Sequence, residues 1–434
     1  MKILIIGSGG REHAIAWTIK HTSPAAVELF CAPGNAGISE VARLVPISIS
    51  DHEGLAQFVS QSAIDLTFVG PEVPLAAGIV DLFESKGLGI VGPTSAAARL
   101  EASKVFAKDF MARNGVPTAA YAVAETPSAA LDLLRSGKFG SSESSVVIKA
   151  DGLAAGKGVV VANSRDEAEK AITDLMVGHQ VGAEAASRIV LEETLTGPEA
   201  SILLFSDGKD YALMPAARDH KRIGEGDTGP NTGGMGSITD NSIIDDATLQ
   251  TVVRTMIEPT LLGAQREGFP FKGVLFLGLM LTPEGPKLLE YNVRFGDPET
   301  QAILVRLKTD LVSILQGIQN TELGRVRIEW EEGSSACVVA ANRGYPGKHD
   351  HGEIIEGLDE FDRSKVQIFH AGTAMSDEGK VLATGGRVLG VTAAAPELPD
   401  ALKRCYEALK IVHWPGVQFR KDIGQARLAS GNNG

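Results

Sequence analysis

The first thirteen residues, MKILIIGSGGREH, commit the start of the chain to one kind of architecture. Residues 2–6 are an unbroken apolar run, residues 7–10 hold three glycines, and a helix-compatible stretch follows over residues 12–20. An apolar strand that turns on glycine into a helix opens a β-α-β unit, whose parallel strands need cover on both faces. The pattern recurs, with strands predicted over residues 65–69 and 89–91, each closed by Gly-Pro. The same stretch is not a secretory signal, because its apolar run is short and ends in glycines and charges. Backbone N–H groups at a glycine turn before a helix attract anions, which makes Gly9, Gly10 and Arg11 candidates for a phosphate. A dinucleotide fingerprint needs its third glycine at position 12, where this chain has Glu12. A phosphate or phosphosugar therefore fits the turn better than a nicotinamide cofactor.

Further along, a helix is predicted over residues 103–114, capped by Ser103, with Phe106, Phe110 and Met111 on one face and Gly115 and Pro117 as the stop. Strands follow over residues 145–149, 159–162 and 189–193, with a helix over residues 166–176. Residues 271–281 and 287–294 read as a hairpin across the turn 282–286. Beyond Gly324 the texture becomes strand-rich, with strands expected over residues 336–341, 366–370, 381–384 and 387–391. The expected domains are residues 1–101 (parallel α/β), 102–325 (a central domain with a lid at about 118–190) and 326–425 (strand-rich), with a tail at 426–434. The fold class is α/β, α+β overall.

Composition narrows the partners. A net charge of −13 over 434 residues disfavours a nucleic-acid or anionic-membrane surface, since both need clustered Lys and Arg. No apolar stretch is long enough to cross a bilayer. Cys31, Cys337 and Cys405 make no CxxC pair, which argues against a zinc site or disulfide framework and for a reducing, cytoplasmic setting. The nine histidines form no HxxxH or HExxH pattern, and there is no GxSxG elbow.

The remaining motifs carry chemistry. Lys149, Gly152, Gly156, Lys157 and Gly158 form a glycine loop between two strands, which differs from a Walker A loop in spacing and lacks its Ser/Thr. Such a loop can lay N–H groups over a triphosphate, with Lys149 pointing at a phosphate. Residues 189–199 run from an apolar strand into Glu192, Glu193, Leu195 and Glu199, an acidic hinge suited to a base and a ribose. Residues 218–222 are a basic cluster around Asp219, followed by a glycine-rich loop with Asn231, Thr232, Gly233 and Gly234, the composition of a mobile segment over an anionic substrate. Most weight falls on residues 289–299. Strand alternation sets Glu290, Asn292 and Arg294 on one face and Leu289, Tyr291 and Val293 on the other. A carboxylate and an amide carbonyl are hard oxygen donors suited to Mg²⁺. Arg294 beside them can steady a transferring phosphoryl group.

These strings, in this order, resemble the ATP-grasp ligases, and among them the glycinamide ribonucleotide synthetase (phosphoribosylamine–glycine ligase) family. IGSGGREHA, APGNAG, VGPE.PL, KADGLAAGKGV, DHKR.G..D.GPNTGGMG, E.N.RFGDPETQ, HAGT and GGRVL span the chain from Met1 to about Gly424. The resemblance implies that ATP, glycine and 5-phosphoribosylamine give ADP, phosphate and glycinamide ribonucleotide through a glycyl phosphate, in purine synthesis. It implies Glu290 and Asn292 as ligands of Mg²⁺ or Mn²⁺. Lys104 and Lys149 become phosphate contacts, and Glu192, Glu193, Leu195 and Glu199 the adenine and ribose clasp. Asp219, Arg294, the 231–236 loop, Asp297, Pro298 and Glu299 fall in the substrate region, and Gly9, Gly10 and Arg11 near the ribose phosphate. A monomer is implied too. Two features depart from the family: Thr194 stands where an aromatic residue is usual, and residues 274–281 hold no third acidic ligand. The rival readings are another ATP-grasp ligase or carboxylase of purine metabolism, a nicotinamide oxidoreductase, and a non-catalytic nucleotide-binding module.

Overall fold

The computed structural model describes residues 1–425 except 142, 155–157, 179–181, 183 and 184. The tail expected at 426–434 lies outside the described residues. Strand β1 (Lys2–Gly7) leads through the glycine turn into α1 (Gly10–Thr22), as the sequence predicts. With β2 (Glu28–Pro33), β3 (Arg43–Leu44), β4 (Leu66–Val69) and β5 (Ile90–Val91) it forms a parallel sheet of order β3-β2-β1-β4-β5. Alternate residues of β1 feed different cores. Ile3 and Ile5 pack with Ile15 and Ile19 of α1, while Leu4 and Ile6 pack with Leu55, Val59 and Phe83 on the other side. A strand apolar at every position is what a doubly covered sheet requires.

Helix α2 (Lys104–Arg113) follows the predicted design. Ser103 caps it by accepting from Phe106 N at 3.1 Å, Phe110 and Met111 are fully buried, and the chain turns at Gly115 with φ +68°. The lid is an antiparallel four-stranded sheet, β6 (Tyr121–Ala124), β9 (Ile189–Glu193), β7 (Val146–Ala150) and β8 (Val159–Ala162), in that spatial order. Its apolar residues, with Ile172 and Leu175 of the helix Arg165–Met176, make a core that shares no member with the others.

The largest sheet has ten strands. Along it run β14 (Gly285–Asn292), β13 (Lys272–Thr282), β10 (Glu199–Asp207), β11 (Ala217–Asp219), β12 (Gly236–Thr239), β15 (Ser334–Asn342), β17 (Arg387–Ala395) and β16 (Gln367–His370). Two short strands, Tyr211–Leu213 and Val417–Gln418, pair with β10 and β15. The strand-rich C-terminal segment thus continues the central sheet through the β12–β15 pairing. The helix Leu398–Ala408, absent from the sequence reading, covers β15 and β17. The hairpin turn is tighter than the predicted 282–286. Thr282 pairs with Gly285, and Pro286 already lies in β14 opposite Leu281. All three cysteines are buried and free, and no described helix is long and apolar enough to cross a membrane.

Three of the recurring strings meet at one joint. His370 N donates to Nδ1 of His13 at 2.8 Å, and Asn35 Nδ2 donates to the carbonyls of Ser8 and His370 at 2.8 and 2.7 Å. This joint welds α1 to the C-terminal strands. Burial pushes both imidazoles down, His370 to about 4 and His13 well below its usual value. The unfolded chain takes up these protons near the ordinary histidine pKa of about 6.5, whereas the native chain refuses them. Stability is therefore present above that value and lost as pH falls from it. For His370 alone the full loss is about 3 kcal/mol. The urea midpoint should drop between about pH 7 and pH 5, a window above most carboxylate titrations. An equal midpoint at both pH values would contradict the joint's role.

Candidate active site

The lid, α2, the central sheet and the 219–234 segment surround one cleft of about 850 Å³. Strand β14 forms its floor. Glu290 and Asn292 both line it, and Arg294 follows just past the strand end. The expected partition of faces holds for these three and fails at Leu289. A bulge sets Leu288 opposite Leu279 but Glu290 opposite Gly278, so Leu289 is the extra residue. Leu288 joins Tyr291 and Val293 in the core, whereas Leu289 lines the cleft. A bulge reverses the side on which preceding residues fall, and two-residue periodicity cannot anticipate it. It also leaves two carbonyls for side chains, Leu288 O accepting from Thr118 Oγ1 at 2.6 Å and Leu289 O from Lys149 Nζ at 3.2 Å.

Cations ring this floor. Burial alone would favour the protonated form of Glu290, yet Lys221, Lys149, Lys104 and Arg294 hold its carboxyl below the usual range. Lys149 also pairs with Glu192 at 3.0 Å, and Lys104 Nζ donates to Gly152 O at 3.3 Å. Lys221 pairs with Glu199 at 3.2 Å, and this neighbour raises its pKa. Arg294 is the most committed cation. It reaches Glu101 at 2.8 Å, Glu72 at 3.2 Å and Asn292 Oδ1 at 3.2 Å.

Carboxyls share the same space. Asp219, Asp297 and Glu299 line the cleft close together. Burial, and then Glu299, raises Asp219 well above the ordinary carboxylate range, and burial raises Glu299. Two such carboxyls share protons more readily than they both ionise. Burial opposes ionisation at Asp297 too, but Arg387 and Arg11 hold it low. Arg387 pairs with Asp297 Oδ2 at 3.3 Å and donates to Gly233 O and Asp297 O, both at 2.6 Å. Gly234 passes so close that a Cβ there would sit 2.5 Å from Pro298 Cδ and 2.7 Å from Asp219 Oδ1, at φ +111°. Only glycine permits that approach.

The other expected residues divide. Glu193, Leu195, Glu199, Asn231, Thr232, Gly233 and Gly158 line the cleft. Gly152 instead packs on Ala185, where a Cβ would lie 2.7 Å from Ala185 Cα. Gly156 and Lys157 lie outside the described residues. At the N-terminal turn Arg11 lines the cleft and donates to Phe295 O at 3.0 Å. Gly9 N donates to Glu12 Oε2 at 2.6 Å, so the anion met by this turn is internal. Gly9 and Gly10 lie against Asp297 and Gln301. Gly9 thus lies beside Asp297, which lines the cleft. Lys221 of the expected basic cluster lines the cleft, and so do Glu72, Glu101, Lys108, Tyr345 and Arg387, which had not been singled out. Glu72 and Arg387 lie in recurring strings and could have been found there; no local signal marks Glu101, Lys108 or Tyr345.

Glu290 and Asn292 present two hard oxygens, donors of the kind a magnesium-type ion would take. Among the described residues no cluster of three or more His, Cys, Asp or Glu could hold a metal.

A lid sheet set over a strand of the central sheet that cations from other elements surround defines an ATP-grasp fold. The phosphoribosylglycinamide synthetase N-domain profile matches residues 1–101, its ATP-grasp (A) domain residues 102–300, and its C domain residues 335–426. The chain belongs to the phosphoribosylglycinamide synthetase family. It is 47% identical over 432 residues to the phosphoribosylamine–glycine ligase of Xanthomonas axonopodis pv. citri, covering 99% of this chain and 98% of that one. The Vibrio vulnificus ligase is 45% identical, with 99% of each chain covered. Among solved structures, the phosphoribosylamine–glycine ligase of Thermotoga maritima has a TM-score of 0.83 at 34% identity, covering 97% of this chain and all of that one. The biotin carboxylase domain of the Hydrogenobacter thermophilus 2-oxoglutarate carboxylase, at 16% identity and a TM-score of 0.72 over 96% of this chain and 91% of that one, shares the fold alone.

Proposed function

We propose that this chain joins glycine to 5-phosphoribosylamine with ATP, giving glycinamide ribonucleotide, ADP and phosphate, a step of purine synthesis. The observation that carries the reading is the mixed charge of this cleft, where Lys104, Lys149, Lys221 and Arg294 surround Glu290 and the carboxyls Asp219, Asp297 and Glu299 line the same space. Glycine bears both charges, and such a cleft offers Arg294 to its carboxylate and Asp219, Asp297 and Glu299 to its ammonium.

A carboxylate is a poor electrophile. Transfer of the γ-phosphoryl group to a glycine oxygen makes glycyl phosphate and leaves ADP. The ribosylamine nitrogen then forms the C–N bond as the C–O bond to phosphate breaks. Lys104, Lys149 and Arg294 balance charge on the transferring group, and the lid keeps water away. Glu290 and Asn292 would hold Mg²⁺ or Mn²⁺, which when bound neutralises phosphate oxygens. The segment 192–195 serves the base, and Glu199 the ribose. Arg11, Asn231, Thr232 and Gly233 serve the phosphosugar. Gly152, Gly156, Lys157 and Gly158 make the phosphate loop. The divisions after residues 101 and 325 and a lid at about 118–190 belong to this reading, supported by the separate lid core. So does a monomer in the cytoplasm, supported for the location by three free cysteines.

A coupled assay of ADP release tests it. Release should require glycine, phosphoribosylamine and a divalent ion together. Release with bicarbonate in place of glycine, or none at all, would overturn it.

A further inference from the structure

Lys108 stands one helical turn beyond Lys104 on α2, at the back of the cleft, with 2% of its side chain exposed. A lysine so buried needs partners for all its donors. Lys108 Nζ lies 2.9 Å from Glu192 Oε2 and donates to Thr118 Oγ1 at 2.7 Å. Thr118 in turn donates to Leu288 O, beside the β14 bulge. Glu192 is equally buried, and its second oxygen lies 3.0 Å from Lys149 Nζ. Four elements therefore meet at one carboxylate: helix α2, lid strands β7 and β9, and through Thr118 the strand β14 that carries Glu290.

The two lysines differ in what else they can do. Both line the cleft, but Lys149 reaches its floor strand and shares its ammonium with Leu289 O, next to Glu290. A polyphosphate there competes with Glu192 for it. If Lys149 turns to phosphate, Glu192 becomes a buried carboxylate dependent on Lys108. Losing Lys108 as well would force Glu192 to take a proton or move. Movement at Glu192 carries the adjoining residues 193–195, which line the cleft.

We propose that Lys108 is a positioning residue for the nucleotide: it holds Glu192, and with it the strand end 192–195, in place while Lys149 engages phosphate. This rests on the nucleotide reading above but not on the identity of the amine or the acid.

The test uses the full-length chain and ADP titrated by calorimetry, with steady-state kinetics beside it. Lys108→Met should weaken ADP binding and raise KM for ATP roughly tenfold or more, while KM for glycine changes by less than about twofold. Thr118→Val, which takes away the second partner of the Lys108 ammonium, should move the same readings in the same direction by less. ADP binding within about twofold of wild type in Lys108→Met would overturn the proposal. So would equal rises in every KM. Should Lys108→Met fail to fold, Thr118→Val decides by the same ADP titration, weaker binding with an unchanged KM for glycine supporting the proposal and wild-type binding overturning it. Wild-type protein that binds no ADP would instead overturn the nucleotide reading.

Discussion

Glu290→Ala should lower turnover by roughly a thousandfold or more, with the fold intact. The residue lies on the cleft floor among Lys104, Lys149, Lys221 and Arg294, and their combined charge keeps it ionised despite burial. Its removal leaves those cations next to a solvent-filled cleft instead of orphaning a charge in the core, so stability should change little. Glu290→Gln keeps the shape and removes the charge, and should lose nearly as much activity. The measurements are ADP release, a thermal melt and a titration with Mn²⁺. Turnover within tenfold of wild type would remove Glu290 from the chemistry. A melt shifted as far as activity would mean that the side chain is structural.

Arg294→Met should be damaging in a different way. The guanidinium spans Glu101, Glu72 and Asn292 at once, and Glu101 is only 7% exposed. Without it two partly buried carboxylates face each other, which should cost about 3–5 kcal/mol. Turnover should fall beyond detection, since the group proposed to meet the glycine carboxylate is lost. Arg294→Lys should not restore it, because one ammonium cannot make the fork of contacts. The pH dependence carries a sign. Burial already raises Glu101 above the usual carboxylate value. A native state that holds its proton more tightly than the unfolded chain loses stability as pH rises through the raised value. Without Arg294 that value climbs further, so the variant should be more stable near pH 5 than near pH 8 in urea titrations. A stability independent of pH, or an active Arg294→Lys enzyme, would contradict this account.

The two positions show how far sequence reaches. Glu290 and Asn292 are legible because they lie two apart on an apolar strand, and strand geometry converts that spacing into a shared face. Arg294 follows by the same count, although the strand ends at Asn292. Leu289 breaks the count because the bulge depends on how β13 meets β14 across the hairpin. The glycine turn is legible as a turn, and its occupant is not. Glu12 answers Gly9 locally, while the faces of Gly9 and Gly10 are taken by a segment almost 300 residues away.

By itself the sequence determined the elements and their chemistry: the parallel N-terminal unit, the capped helix at Ser103, the lid strands, and the ordered strings that mark the family. These rest on local periodicity, capping and turn residues, all read within a few positions. Tertiary structure alone decided which charges meet. Arg294 with Glu72 and Glu101, Arg387 with Asp297, and Lys108 with Glu192 are joined by chain crossings of 84 to 222 residues. The physical reason is that a buried ion pair is set by packing of whole elements against one another, and no local pattern records which distant carboxylate will complete it.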